Sequence, residues 1–182
     1  MTSTNSFDLF GLPRLYKIDL GELEQKWKTI SAQVHPDSFT SASAPEKRVA
    51  VEWGARINEA YRVLKDPIKR AEHLCSLAGF EHGERTQSAM NIDFLENQMA
   101  WREALEQARL NPLTDDLNVL QSTVLEASNT YELSVGKLLD NQQWQTASDR
   151  LREWMFIQKF SKEVTQAIRA RRDHNRTRES QT

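Results

Sequence analysis

An all-α protein is what this sequence predicts, and three observations predict it. Only 6 glycines and 5 prolines interrupt 182 residues, so long unbroken segments are available. No run alternates apolar and polar residues as a half-buried strand would. Apolar residues recur instead at steps of three and four, which gathers them on one side of a helix. The chain is long enough to bury a core in one large or two small domains. Lys+Arg at 24 against Asp+Glu at 26 gives a net charge of -2, so no overall field draws it onto nucleic acid or an anionic membrane. The single cysteine, Cys75, excludes an internal disulfide and an all-cysteine metal cage, and it fits a reducing compartment. The opening "MTSTNSFDLFGLP" has no basic stretch followed by an apolar one, and nothing approaches the roughly 20 apolar residues that span a bilayer. A soluble, cytoplasmic protein is expected.

The elements follow in order. "SFDLFGL" sets Phe7 and Phe10 one turn apart before Gly11 and Pro13, which predicts one or two helical turns. Asp19 caps a stronger helix with Leu20, Leu23, Trp27, Ile30 and Val34 on one side. That helix stops at Pro36, because the residue before a proline is pushed out of the α region. After the polar loop "DSFTSASA", Pro45 and Glu46 open a helix whose inward stripe is expected to be Val49, Trp53, Ile57, Tyr61 and Leu64, closed by Asp66-Pro67. "IKRAEHLCSLAG" is a shorter amphipathic piece ending at Gly79, a natural position for a left-handed residue after a helix.

Residues 81–90 carry no apolar periodicity and read as a linker. Asn91 or Asp93 then caps a helix carrying Ile92, Leu95, Met99 and Leu105, ending near Asn111-Pro112. A helix from Thr114 follows, with Leu117, Leu120, Val124, Ala127, Tyr131 and Leu138 at close to heptad spacing. Asn141 is expected to cap the last helix, with Ala147, Leu151, Trp154, Ile157, Val164 and Ile168 on one face. A three-helix bundle over 91–172 follows from this pattern, after an N-terminal domain over 1–80. The tail 173–182 is polar and without a stripe, and reads as disordered. Its arginines alternate with Asp173 and Glu179 and lack aromatic companions, so a solvated tail is expected rather than a nucleic-acid contact.

The sharpest local feature is His35-Pro36-Asp37, a bare imidazole and acid beside a proline between two helices. General acid-base work needs a pocket and a third group, and the surrounding Ser and Thr offer neither. A metal site would need to recruit His73, Cys75 or His82, yet His73 and Cys75, two apart on a helix, do not face the same way. A turn in which proline stops one helix and Asp37 satisfies loop amides stays open.

The flanks add a context. A helix with Lys26 and Lys28, then His-Pro-Asp, a small-residue loop, and a helix ending "INEAYRVLKDPIKRAEHL" resembles the J-domain, the module that activates the ATPase of DnaK-type chaperones. With "GLPRLYKIDLGELEQKW" before the tripeptide and "NIDFLENQMAWREAL" opening the bundle, the chain from about Phe7 to Arg169 resembles the HscB family, co-chaperones of iron-sulfur cluster assembly. The resemblance implies a helical-hairpin J-domain with short flanking helices joined to the bundle in an L shape, and two partners, the chaperone HscA and the scaffold IscU. It implies a co-chaperone rather than an enzyme, with another client of a DnaK-type chaperone as the alternative. It also implies that His35, Pro36 and Asp37, with Lys26 and Lys28, meet the chaperone, and that Leu95, Met99, Glu103 and Phe156 meet the scaffold. Ala32 and Val34 depart from the basic and aromatic residues common there, and Glu96, Ala100 and Gln107 depart from the scaffold-binding pattern. The cysteine pair that holds zinc in eukaryotic members is absent, so no metal or other cofactor and a bacterial-type protein are expected.

Overall fold

The structure, a computed structural model, describes residues 5–34, 43–80, 91–111 and 115–179. These form seven α-helices and no strand: α1 (Ser6–Phe10), α2 (Leu20–Gln33), α3 (Ala44–Lys65), α4 (Pro67–Leu77), α5 (Ile92–Leu110), α6 (Asp116–Asp140) and α7 (Trp144–Glu179). None of the described helices is long and apolar enough to cross a membrane. The chain divides into two compact units, residues 1–81 with Leu138–Trp144, and residues 82–137 with 145–182. The linker expected over 81–90 lies outside the described residues.

In the first unit, short polar side chains set the helix ends. Asn5 caps α1 by accepting the Asp8 N–H at 3.0 Å, and Gly11, at φ 58°, turns the chain so that the Leu12 N–H reaches the Phe7 carbonyl at 3.0 Å. Asp19 accepts from the N–H groups of Gly21 and Glu22 at 2.8 and 3.1 Å, and so starts α2. Asp66 does two jobs: its N–H closes α3 on the Arg62 carbonyl at 3.2 Å, while its carboxylate accepts from Ile68 and Lys69 at 2.9 and 3.0 Å to open α4. Gly79, at φ 82°, ends α4 with the Phe80 N–H on the Cys75 carbonyl at 2.9 Å.

The core of this unit collects Phe7, Phe10, Leu12, Tyr16, Leu23, Ile57, Leu64, Ala71, Leu74 and Cys75. Two expected inward residues of α3, Val49 and Trp53, are exposed, and Ala50 and Ala60 are buried in the same helix. Alanine weighs little in an apolar pattern, so its inward position is hidden beside a valine and a tryptophan. Arg70 is buried as well, and this is tolerated because its Nη1 donates to the Leu64 carbonyl at 2.6 Å and its guanidinium lies 4.8 Å from the Tyr16 ring centre.

The second unit packs α5, α6 and α7 around Phe94, Leu105, Ala108, Leu117, Leu120, Val124, Ile157, Phe160, Val164 and Ile168. One hydroxyl organises the polar part of that interior: Ser128 Oγ accepts from Trp154 Nε1 at 3.0 Å and from Gln158 Nε2 at 2.7 Å, so the fully buried indole has its partner. Of the apolar residues Ile92, Leu95, Met99 and Leu105 read along α5, Leu105 alone faces the core. Ile92, Leu95 and Met99 are exposed, and Phe94, Leu105 and Ala108 face the core, with Trp101 packed against it.

Two helix boundaries also differ. Asn141 does not cap α7; it belongs to the turn that ends α6, where Gln142 takes a left-handed φ of 59° and the Gln143 N–H meets the Leu138 carbonyl at 2.9 Å. At the C-terminus α7 runs on to Glu179 rather than ending at 172. An existing helix needs no new nucleus, and each added residue gains one backbone hydrogen bond without any apolar stripe.

Candidate functional site

Two surfaces carry the expected site residues, one in each unit. The first is the α2–α3 hairpin. Trp27 Nε1 donates to Asn58 Oδ1 at 2.9 Å, and its indole stacks on Tyr61 with centroids 4.6 Å apart and 17° between planes. Lys65 Nζ donates to the Tyr61 hydroxyl at 3.1 Å, and Glu59 pairs with Arg62 at 3.2 Å. The Asn58-Glu59-Ala60-Tyr61 motif is thus the clasp of the hairpin. An aromatic pair of this kind contributes about 0.5–1.5 kcal/mol beyond its area.

At the start of α3, Glu46 reaches back from the first turn and accepts from both the N–H and the hydroxyl of Ser43 at 2.7 Å. These bonds, the hydroxyl first, hold its carboxyl below the usual carboxylate range. His35, Pro36 and Asp37 lie outside the described residues. The two lysines on α2 differ. Lys26 Nζ donates to the Gly11 carbonyl at 3.1 Å and pairs with Glu22 at 2.7 Å, so it ties α2 to the end of α1. Lys28 is 64 % exposed in its side chain and, among the described residues, forms its ion pair along its own helix, with Glu24 at 2.7 Å. The hydrogen bond, and then the opposite charge, raise the lysine's pKa and lower the glutamate's.

The second surface is the outward side of α5 with the neighbouring edge of α7. Leu95 is 42 % exposed, Met99 73 % and Phe156 41 %. Phe156 lines a groove with Gln98, Trp101 and Arg102 of α5 and with Lys159, Phe160 and Glu163 of α7, so aromatic rings and charged side chains share it. Glu103 stands exposed on α5, and neither it nor Glu96 has an ion-pair partner among the described residues. Two residues absent from the expected site share this outward side, Ile92 at 71 % and Leu110 at 84 % exposed. Their signal was spacing: eighteen residues are five whole helical turns at ~3.6 residues per turn.

The remaining reactive side chains are structural. Cys75 is buried, and burial pushes its thiol up to about 11, which keeps it protonated at neutral pH. His73 stacks on Phe7 at 5.7 Å and its Nε2 accepts the Ser6 N–H at 3.3 Å. Burial first, and the Arg14 charge second, hold its pKa below the ordinary value. Among the described residues no three His, Cys, Asp or Glu side chains gather to hold a metal ion.

Comparison with known proteins gives this geometry a context. Residues 90–165 match the family model described as the HSCB C-terminal oligomerisation domain. A co-chaperone protein HscB homolog of Bordetella pertussis is 40 % identical over 168 residues, covering 92 % of this chain and 98 % of that one. One from Paraburkholderia phymatum is 39 % identical over 90 % of this chain and 95 % of its own. Among solved structures, the chaperone HscB from Vibrio cholerae superposes with a TM-score of 0.80 at 33 % identity, covering 91 % of this chain and 98 % of that one. Human co-chaperone protein HscB superposes with a TM-score of 0.82 at 23 % identity, over 91 % of this chain and 82 % of that one, a likeness of fold.

Proposed function

The chain belongs to the HscB family of co-chaperones, and from that premise we propose that it delivers the iron-sulfur scaffold IscU to the DnaK-type chaperone HscA and stimulates its ATPase, aiding iron-sulfur cluster maturation. The J-domain hairpin is the chaperone-facing part, with His35, Pro36 and Asp37 as the trigger. Lys28 is the better placed of the two lysines for a charge contact, since Lys26 is bonded to the Gly11 carbonyl. Such a contact acts mainly on association rate and weakens with salt. Leu95, Met99, Glu103 and Phe156 are the scaffold-facing part.

The observation that carries the scaffold half is the outward turn of Leu95 and Met99, large apolar side chains that the bundle core does not use. Holding client and chaperone on one molecule turns their encounter into an intramolecular event, which raises the local client concentration. Stimulation of ATP hydrolysis requires further that docking favour the hydrolysis-competent state, through different affinities for the two states. The test is single-turnover ATP hydrolysis by the cognate HscA, with the wild-type chain or Asp37→Asn, each with and without IscU. Stimulation should vanish in the variant and grow with IscU. No stimulation by the wild type removes the trigger role, and stimulation indifferent to IscU points to another client.

A further inference from the structure

The exposed apolar residues of α5 are not scattered. Ile92 and Leu110, its first and last residues, fall on one line along the helix, and Met99 lies within about 20° of that line, with Leu95 beside it. The line is about 27 Å long at ~1.5 Å per residue. Single exposed apolar side chains are ordinary, but Ile92, Leu95 and Met99 cluster within the first two turns of α5, and Leu110 continues their line beyond Glu103 and Glu106. Glu103 and Glu106 stand on the line between Met99 and Leu110, and Glu106 is paired with Arg109 at 2.6 Å, which leaves Glu96 and Glu103 as the acids of this face without an ion pair among the described residues.

Helix ends usually fray, which would make such residues poor anchors, yet both ends of α5 are held by α7. At the start, Glu153 Oε1 accepts the Asn91 N–H at 3.3 Å, and the Asn91 side chain accepts from Asp93 at 2.9 Å. At the finish, Arg171 Nη2 donates to the Ala108 carbonyl at 2.5 Å and the Asn111 N–H meets the Gln107 carbonyl at 3.1 Å. Ile92 and Leu110 are therefore presented on a clamped helix, and docking onto them costs little further ordering.

We infer that the docking face for the scaffold runs the whole length of α5, with Ile92 and Leu110 as terminal apolar anchors on either side of Leu95, Met99 and Glu103. This rests on the reading of α5 as the scaffold-facing helix. The partner it fits is a folded protein surface with an elongated apolar strip and a cationic side chain opposite Glu96 and Glu103.

The test is the affinity of the full chain for the cognate scaffold by isothermal titration calorimetry, with Ile92→Ser, Leu110→Ser and their double variant beside Leu95→Ser and Met99→Ser. Circular dichroism checks that each variant keeps its helicity. Each terminal variant should bind roughly fivefold more weakly, and the double variant roughly 25-fold, as separate anchors give. Unchanged affinity in the terminal variants while Leu95→Ser and Met99→Ser bind weakly would overturn the extension and leave the docking reading intact. Full affinity in all of them would remove α5 as the docking helix altogether. A self-associated wild type that Leu110→Ser makes monomeric, with scaffold affinity unchanged, would give the end of the face to a second copy and also overturn the inference.

Discussion

Helices α2 and α5 both carry apolar residues at steps of three and four, and the two stripes have opposite fates. In α2, Leu23 is fully buried, Trp27 and Ile30 are half-buried, and Trp27 is clasped by Asn58 and Tyr61 of α3. In α5 the residues Ile92, Leu95 and Met99 turn outward, because a second apolar set, Phe94, Trp101, Leu105 and Ala108, fills the core instead. A helix with one stripe has one way to bury it. A helix with two has a choice, and its neighbours make that choice.

The largest effect that breaks this contrast is expected on α5 itself. Phe94→Ala should cost about 3–5 kcal/mol of stability, whereas Met99→Ala should stay within about 0.5 kcal/mol, both read from urea unfolding. Equal losses would mean that Met99 is core. Next comes the cap that serves two helices: Asp66→Ala should cost about 1 kcal/mol, up to about 2, because it leaves the Ile68 and Lys69 N–H groups without their acceptor.

Smaller and of opposite sign is the pair of left-handed turns. Gly79→Ala should cost about 1 kcal/mol for conformation alone, as no atom lies within 4 Å of the added carbon. Gln142→Gly should gain about 0.5–1 kcal/mol, since a glutamine there pays for a φ of 59° that glycine adopts freely. Thermal unfolding of both variants reads the difference.

The smallest effect depends on pH. His73 has its pKa held below the ordinary 6.5 in the folded state, so the unfolded chain binds its proton first as pH falls. Its contribution is fully present above pH 6.5 and is lost as pH drops through the lower folded value. The stability difference between wild type and His73→Gln should shrink across that window, and a difference constant with pH would show that the imidazole does not titrate with folding.

Much of the fold was legible because its signals are local. Asp19, Asp66 and Gly79 act on backbone groups within a few residues, so their roles follow from type and spacing. The Lys26–Lys28 pair was legible as a basic segment but not as two different residues, because the Gly11 carbonyl that engages Lys26 is 15 positions away. Gln142 was missed because a glutamine gives no warning of a left-handed turn, and the continuation of α7 past 172 because it has no stripe to announce it.

What the sequence determined by itself was the helical class, the order of the helices and most of their caps, together with the family to which the motifs point. Each of these depends on contacts along the chain, whose geometry a short stretch of residues already contains. Only the tertiary structure decided which apolar set of α5 is core and which is surface, and that Ala50 rather than Val49 faces inward in α3. Those outcomes depend on the shape and volume of facing helices, since a close-packed interior accepts the set that fills it and leaves the other to solvent.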